Sequence, residues 1–460
     1  MTATENFDLV VFGGGKAGKT LAMDKARAGL KVAVVEEGMI GGSCINVACI
    51  PSKTLIRSAE VAHTSIHAGS FGTRAHSVSI EMPTIAGRTA GVVAEMVEFN
   101  QAAFDASGLE LVLGKGAFTG PKTIEVVSGK GKRSISGQKI FINLGTVADV
   151  PDVVGLKASK PLTHVEALKL AELPRKLVIL GGGFIALELG QAFARLGSQV
   201  TIVERNTRLA GREDADFAEA ILEAVSLDGV KVEFNCIVKE VQGESGSKVE
   251  LILEDGRRID GSHLLVATGR RPRTSNVGLD IAGVSADKRG FIVVDERLRT
   301  TAADVWAMGE VAGTPMFTHA SLDDYRVVKS DLEGGSRTTK DRLIPYCVFV
   351  APEYARVGKS ETEMRNLGLP FRVAKLPMDV VPRARTLSER AGFMKAVIGS
   401  QDDQILGFSM LGVNAGEVMS VVHTAMLGKL PFTALRDAVF AHPTISEGLN
   451  MLFSKVTASN

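Results

Sequence analysis

An apolar run that ends in three glycines decides the fold, and its sequence is Asp8-Leu9-Val10-Val11-Phe12-Gly13-Gly14-Gly15-Lys16-Ala17-Gly18. Helix-forming residues follow, and then the apolar run Lys31-Val32-Ala33-Val34-Val35-Glu36. This order predicts a strand, a tight turn, a helix and a second strand. Glycines let the backbone approach a pyrophosphate, and a helix N-terminus offers free N–H groups to it. The segment therefore predicts a Rossmann-like dinucleotide-binding unit, in which Glu36 accepts hydrogen bonds from a ribose.

The same pattern occurs again in the middle of the chain. Lys176-Leu177-Val178-Ile179-Leu180 precedes Gly181-Gly182-Gly183, a helix is predicted as far as Arg195, and another apolar run ends in Glu204. One glycine loop alone is weak evidence, because many turns between a strand and a helix contain glycine. Two matched copies indicate two independent dinucleotide sites.

Cys44 and Cys49 follow the first glycine loop and make up half of the four cysteines. On an ideal helix their Cα atoms would lie about 8 to 9 Å apart, farther than the ~7 Å that a disulfide tolerates. A bridge therefore requires Cys44 at or before a helix start, or a distorted turn. The alternative is a pair of buried free cysteines. Cys236 and Cys347 lie in apolar, strand-like contexts, and we expect them in the core.

Composition limits the partners. Fifty-three basic and fifty-two acidic residues give a net charge of +1, and no basic stripe is interleaved with aromatic residues, so we expect no nucleic-acid partner. We also expect no membrane partner and a cytoplasmic location, because the sequence has neither a secretory leader nor an apolar run of spanning length. In a reducing compartment, a close cysteine pair is more often catalytic or metal-binding than structural. A dithiol together with two dinucleotide sites is most economically explained by one flavin and one nicotinamide.

The 460 residues predict several domains. We expect residues 1–150 and 272–336 to form a flavin domain, 151–271 a nicotinamide domain and 337–460 a C-terminal domain. Residues 118–137 predict a small hairpin insertion before residues 139–145 close the first domain.

Several motifs stand in order along almost the whole chain: both glycine loops, the run from Cys44 to Lys53, Glu188, and residues 267–272, 307–310, 352–358 and 442–447. Together they resemble the flavin-dependent pyridine nucleotide–disulfide oxidoreductases, the class I family that includes dihydrolipoamide dehydrogenase, glutathione reductase and mercuric reductase. The resemblance implies an α/β protein with two Rossmann-like domains, for FAD and NAD(P), and a C-terminal α+β dimerisation domain.

The resemblance also implies catalytic roles. Cys49 resembles the sulfur nearer the flavin, which forms the charge-transfer thiolate, and Cys44 resembles the thiol that attacks the acceptor. Lys53 and Glu188 resemble the pair beside the flavin N5 and the incoming nicotinamide. In this family an acid–base dyad, here His442 and Glu447, serves the cysteines of the other subunit, and a homodimer is therefore expected.

The cofactor contacts that we expect for FAD and NAD(P)H fall on the following residues: Gly13, Gly15, Lys16, Ala17, Gly18, Glu36, Glu37, Gly42, Ser43, Lys53, Ala117, Gly145, Gly181, Gly183, Phe184, Ile185, Glu188, Glu204, Arg205, Gly269, Arg270, Gly309, Glu310, Met316 and Thr318. No residue is predicted to bind a resident metal. NADH is favoured because Glu204 can bind the ribose hydroxyls and repel a 2′-phosphate. Arg205, Arg208 and Arg212 could instead pair with that phosphate or remain solvated.

Three positions depart from the family pattern. Glu310 replaces the usual Asp against the ribityl chain, so we expect its contact through water or a shifted loop. Leu144 replaces a threonine near the flavin. The aromatic lid over the flavin, often Tyr in the family, is Phe184, which can still stack and swing but cannot donate a hydrogen bond.

The acceptor is the least determined part of the function. Residues 15–20, 321–326 and 381–385 look closest to mercuric-reductase-like members linked to reactive-chlorine and metal-ion stress, although surface variation also explains these stretches. We therefore expect a disulfide or a soft metal ion as acceptor. The alternatives are a dihydrolipoamide dehydrogenase, a non-catalytic flavin-bearing regulatory protein, and an NADH oxidase. The retained dithiol and acid–base pair disfavour a regulatory role, and the second cysteine disfavours an oxidase.

Overall fold

The computed structural model of the chain describes residues 3–74 and 77–456; residues 1–2 and 457–460 of the first and last predicted domains lie outside the described part. The strands before residue 150 are β1 (Thr4–Phe12), β2 (Val32–Glu36), β3 (Glu110–Leu113), β4 (Lys115–Gly120), β5 (Thr123–Ser128), β6 (Gly131–Ile142) and β7 (Thr146–Ala148). The helices of this part are α1 (Lys16–Arg27), α2 (Ser43–Asn46), α3 (Cys49–His67) and α4 (Met82–Asp105).

The first sheet has the order β3-β2-β1-β6-β5-β4, and β1 runs parallel to both β2 and β6. The predicted hairpin is present, because β5 pairs antiparallel with β4 and with the first half of β6. Its last strand does not stop at Gly137: β6 continues to Ile142, and its residues from Ser134 to Ile142 pair with β1. Gly137 lies opposite Phe7 inside this strand. A Cβ there would lie 2.8 Å from Val10 Cγ2, so this glycine permits close packing and does not end the strand.

The second unit repeats the arrangement. Its strands are β8 (Lys176–Leu180), β9 (Gln199–Val203), β10 (Lys231–Glu233), β11 (Val238–Glu244), β12 (Lys248–Leu253), β13 (Arg258–Gly261), β14 (His263–Val266) and β15 (Arg270–Pro272). Its helices are α5 (His164–Ala167), α6 (Phe184–Arg195) and α7 (Ala215–Leu227). The parallel sheet has the order β10-β9-β8-β14, and β11, β12 and β13 form a separate antiparallel sheet. The predicted β8 and the end of α6 at Arg195 agree with these bounds.

Two short strands join the units. β7 pairs antiparallel with β15, with Arg270 opposite Ala148, so the two chain crossings lie side by side. The expected boundary between residues 271 and 272 therefore falls inside a strand. The chain then returns to the first sheet, as the sequence predicts, through β16 (Val305–Ala307), which pairs with β6. Helix α8 (Thr318–Leu332) follows and contacts α1.

The C-terminal part is α+β. Its strands are β17 (Tyr346–Val348), β18 (Tyr354–Gly358), β19 (Phe371–Pro377), β20 (Phe393–Gly399) and β21 (Ile405–Leu411). Its helices are α9 (Glu361–Asn366), α10 (Pro382–Leu387), α11 (Ala415–Leu427), α12 (Phe432–Arg436) and α13 (Gly448–Phe453). The antiparallel sheet has the order β17-β18-β21-β20-β19. Val418 and Val422 on α11 and Leu449 on α13 are buried in the same core cluster as Phe408 of β21, and this packing holds β17 beside the second unit.

Candidate active site

One large cleft of about 2720 Å³ lies where the first, second and C-terminal parts meet. Most residues predicted from the sequence lie on its wall: Gly13, Gly15, Lys16, Glu36, Glu37, Gly42, Ser43, Cys44, Cys49, Lys53, Gly145, Gly181, Gly183, Phe184, Ile185, Glu188, Glu204, Arg205, Gly269, Arg270, Glu310, Met316 and Thr318. The sequence-predicted nucleotide and redox residues are therefore brought to one place.

The two glycine loops fit the pyrophosphates of dinucleotides. Gly15 and Gly183, the N-cap residues of α1 and α6, have no side chain that could cap the helix, so N–H groups at the helix start remain for an anion. A Cβ on Gly42 would lie 2.8 Å from the Gly15 Cα atom, whereas a Cβ on Gly183 would meet nothing within 4 Å. The first loop is thus closely packed, and the second opens into the cleft.

An acid follows each loop in the same geometry. Glu36 accepts the Gly14 N–H at 2.8 Å and the Met39 N–H at 2.9 Å. Glu204 accepts the Gly182 N–H at 2.6 Å and the Asn206 N–H at 2.8 Å. Both carboxylates are buried but lie on the cleft wall. Each is therefore preset to receive further hydrogen bonds from a ribose.

Four predicted contacts do not lie on the wall. Ala17 is fully buried, and the Gly18 N–H donates to Asn143 Oδ1 at 3.0 Å, beneath the first loop. The Gly309 N–H donates to the buried Asp324 at 2.7 Å. Ala117 of β4 is not on the wall, whereas Lys115 and Gly116 of the same strand are.

The turn between α2 and α3 is distorted, as the spacing of Cys44 and Cys49 requires if the two sulfurs are to approach each other. Cys44 lies in the single turn of α2, Cys49 begins α3, and Ala48 between them has φ −131° and ψ −101°. Both cysteines are free thiols here and hydrogen-bond to each other. The Thr318 hydroxyl contacts Cys49 Sγ at 3.6 Å. The distorted turn thus brings together two sulfurs that a continuous helix would separate.

The two thiols have different acidities. The hydrogen bond from Cys44, helped by Thr318 and by the charge of Lys53, lowers the pKa of Cys49 to about 6. The same contact with Cys49, together with burial, raises the pKa of Cys44 above its usual value. These opposite directions favour the thiolate on Cys49 and the proton on Cys44.

A second lysine was not singled out by the sequence. Lys19 of α1 is buried and donates to Asn100 Oδ1. Burial is the main cause that lowers the pKa of Lys19 to about 8, and Lys19 interacts electrostatically with Cys44. Each thiol therefore has its own cation, Lys53 for Cys49 and Lys19 for Cys44. The sequence signal for Lys19 is its position in the first turn of the helix that follows the glycine loop.

Glu310 lies on the wall but is engaged differently from the expectation. Its carboxylate accepts the Thr146 hydroxyl and lies 3.4 Å from Arg270 Nε. Arg270 also contacts His164 Nε2 at 3.3 Å. Burial, followed by the charge of Arg270, lowers the pKa of His164 to about 4. The longer side chain of Glu310 thus reaches Thr146 of β7 and Arg270 of β15. Thr146 also supplies a hydroxyl group two residues after Leu144, which has none.

The two remaining cysteines are only partly as expected. Cys236 is buried, but it lies in the loop between β10 and β11. Cys347 is half-buried: it packs against the C-terminal core cluster and also lies on the cleft wall, so it is a core residue only in part.

His442 and Glu447 are close, with 2.8 Å between Nδ1 and Oε2. The His442 side chain is 68% exposed, and neither residue belongs to the cleft wall in the described chain. The dyad is therefore formed but is not joined to the cysteines of its own chain.

Two further findings concern the described residues alone. No three His, Cys, Asp or Glu side chains within residues 3–74 and 77–456 are grouped to hold a metal ion. None of the helices in that part combines the length and apolar character needed to cross a bilayer.

Comparison with known proteins gives a consistent result. Residues 7–324 match the pyridine nucleotide-disulphide oxidoreductase family, and residues 344–452 match its dimerisation domain. The probable pyridine nucleotide-disulfide oxidoreductase RclA of Escherichia coli (strain K12) is 38% identical over 456 residues, covering 98% of this chain and 99% of that protein. The mercuric reductase of Bacillus cereus is 30% identical over 450 residues, covering 97% of this chain and 71% of that protein.

A solved structure supports the same assignment. The Cu(II) complex of the HOCl-induced flavoprotein disulfide reductase RclA from Escherichia coli has a TM-score of 0.91 and 36% identity, covering 98% of this chain and 100% of that chain. The chain therefore belongs to the class I pyridine nucleotide-disulphide oxidoreductases, a family of FAD-dependent flavoproteins that use NAD(P)H.

Proposed function

We propose that this protein is a cytoplasmic, homodimeric reductase that passes electrons from NADH, through FAD and Cys44–Cys49, to a soft metal ion or a small disulfide. The observation that carries the proposal is the cysteine pair at the distorted turn, where the pKa of Cys49 is lowered to about 6. The Cu(II) complex of the Escherichia coli relative supports a reducible metal ion as the first acceptor to test, with Cu(II) and the softer Hg(II) as candidates. Sulfur donors suit such ions, because both partners are polarisable.

The residues divide the work as follows. FAD, when bound, relays two electrons from the nicotinamide to the cysteine pair. The two glycine loops hold the pyrophosphates, and Glu36 and Glu204 hold the riboses. Lys53 and Glu188 position the incoming nicotinamide in the cleft. The charge of Lys53 also favours the Cys49 thiolate.

For a disulfide acceptor, Cys44 loses its proton to a base and attacks one acceptor sulfur. A mixed disulfide forms, and the departing thiolate takes the proton. Cys49 then attacks Cys44, which restores the Cys44–Cys49 bond and releases the second thiolate. We assign the base to His442 of the partner subunit, oriented by Glu447. For a metal acceptor, the same two electrons reduce one Hg(II) to Hg(0) or two Cu(II) to two Cu(I).

The test is steady-state oxidation of NADH and NADPH with Cu(II), Hg(II), glutathione disulfide, lipoamide and oxygen, compared side by side. We expect the highest kcat/KM with a metal ion and loss of that activity in Cys44→Ser. Preference for lipoamide would favour the second candidate, a dihydrolipoamide dehydrogenase, which shares the His442–Glu447 dyad. No reduction of any acceptor, with the flavin bound, would favour the regulatory alternative.

A further inference from the structure

Four aromatic rings of the described chain form a row along the cleft wall: Phe184, Tyr346, Phe317 and His319. The ring centroids of Phe184 and Tyr346 are 5.9 Å apart, and those of Tyr346 and Phe317 are 5.3 Å apart with an angle of 7° between the planes. Phe317 and His319 follow at 5.4 Å and 14°. These separations lie in the range of attractive ring contacts. Tyr346 therefore links Phe184 to the segment that carries Thr318.

The Tyr346 ring is fixed by its hydroxyl group. The hydroxyl lies 2.8 Å from one oxygen of Glu213 and 2.9 Å from the other. Glu213 is only 2% exposed and also accepts the Tyr354 hydroxyl and, at 3.3 Å, Arg356 Nη1. A buried carboxylate with three donors has a single favourable position. Tyr346 is therefore held in place by a rigid group from another part of the chain.

Glu213 also ends the segment that borders the second nucleotide site. Arg205, Arg208 and Arg212 of this segment lie on the cleft wall. The Glu213 N–H donates to Ala210 O at 2.8 Å, and the Ala210 N–H donates to Gly182 O at 3.1 Å. The second glycine loop, the arginine segment and the Tyr346 ring are thus joined by consecutive hydrogen bonds.

Phe184 borders the open cleft. It is the first residue of α6, it is only partly buried, and it lies on the cleft wall. In the proposed function, on which this inference rests, the nicotinamide enters beside Phe184. That ring must then leave its resting place for the nicotinamide to bind.

We propose that Tyr346 is a positioning residue, against whose ring Phe184 packs when no nicotinamide is bound. Glu213 fixes the Tyr346 ring and joins it to the arginine segment beside the second nucleotide site. The contact between Phe184 and Tyr346 competes with binding of the nicotinamide. Loss of the Tyr346 ring therefore raises the fraction of molecules that are open to NADH, and the apparent Kd falls in proportion. The flavin also becomes more accessible to solutes, because Phe184 covers it less.

Three variants test this proposal in the FAD-bound protein. Tyr346→Leu removes the ring, and Tyr346→Phe keeps the ring but removes its tether. Tyr354→Phe is the matched control, because it removes a donor to the same carboxylate from a ring that is fully buried and lies off the cleft wall. The two measurements are the Kd for NAD⁺, which occupies the nicotinamide site without reducing the flavin, and quenching of flavin fluorescence by iodide.

Tyr346→Leu should lower the Kd for NAD⁺ about two- to tenfold, the range that one ring contact provides, and should increase iodide quenching. Tyr346→Phe should also lower the Kd and increase the iodide quenching, but by smaller amounts. Tyr354→Phe should leave the Kd and the quenching unchanged. Unchanged Kd and quenching in Tyr346→Leu would overturn the proposal, as would equal effects of Tyr346→Phe and Tyr354→Phe. If the unaltered protein bound no NADH, the proposed function would fail, and iodide quenching alone would decide the role of Tyr346.

Discussion

Lys53 and Glu188 face each other across the boundary between the two glycine-loop units, with 2.7 Å between Nζ and Oε2. Lys53 comes from α3, which begins at Cys49, and Glu188 comes from α6, which begins at Phe184. The second Glu188 oxygen accepts the Phe349 N–H at 2.9 Å from the C-terminal part. The pair therefore joins the three parts of the chain that form the cleft.

The first prediction concerns the Cys49 thiolate. The pKa of Cys49 is lowered to about 6, so the thiolate is present above that pH and is lost below it. Alkylation of Cys49 by iodoacetamide in the reduced protein, located by mass spectrometry, should be half-maximal near this pH. Lys53→Met should raise the midpoint, because the nearby cation is removed.

Lys19→Met is the matched control, since Lys19 acts on Cys44. It should leave the Cys49 midpoint unchanged. A midpoint near the ordinary thiol value in the unaltered protein would contradict the assignment of the thiolate to Cys49.

The second prediction concerns nucleotide choice. The Glu204 carboxylate is held by Gly182 and Asn206 beside the second loop, so a 2′-phosphate would meet a fixed negative charge. We predict a higher kcat/KM for NADH than for NADPH, and a shift of the ratio toward NADPH in Glu204→Ala. The shift should be about tenfold, as expected for a like-charge contact of ~1 to 3 kcal/mol. A tenfold preference of the unaltered protein for NADPH would refute the prediction.

The third prediction concerns the contact between the second unit and the C-terminal part. Lys395 lies 2.8 Å from Asp214, and the two side chains are only 3% and 5% exposed. Lys395→Met should lower the free energy of unfolding by about 3 to 5 kcal/mol, because it leaves a buried carboxylate unpaired. Lys375→Met is the control, since Lys375 is 45% exposed in its pair with Asp216. The control should cost about 0 to 1 kcal/mol in urea unfolding; equal losses would argue against the buried pair.

Much of this fold follows from local sequence. β8 has the predicted bounds, because it is a short apolar run with clear ends, and α6 ends at Arg195 as expected. The continuity of β6 did not follow, because Gly137 looks like a breaker until its close packing against β1 is known.

The predicted site residues also follow from patterns in the sequence. Glycines and acids at fixed spacing indicated the two loops, and the family resemblance indicated Lys53 with Glu188. The Tyr346–Glu213 and Cys49–Thr318 contacts join residues far apart in sequence. No local pattern encodes such pairs, because they depend on how the C-terminal part packs against the second unit and on how α8 returns to the redox turn.

The fourth prediction concerns the dyad. His442 is 68% exposed and lies off the cleft wall of its own chain, so we expect it to serve a partner subunit. Cys44→Ser and His442→Ala homodimers should each be inactive toward a disulfide acceptor. Mixed dimers of the two variants should regain about half the activity per dimer, because one of the two sites then has both groups intact.

Mixing without any recovery, after subunit exchange has been verified by mass spectrometry, would contradict the shared site. Recovery requires exchange, so unfolding and joint refolding with FAD should precede the assay. The Glu447→Gln homodimer serves as a comparison. Its activity should fall less than that of the His442→Ala homodimer, because the substitution changes the orientation of the base and not its presence.

The most direct test of the account is a count of free thiols before and after anaerobic addition of NADH, made with Ellman's reagent in denaturant. The chain has four cysteines. If Cys44 and Cys49 form the redox disulfide, the air-oxidised holoprotein should give two thiols per chain and the NADH-treated protein four. The same count before and after NADH would contradict the claim that electrons reach the Cys44–Cys49 pair.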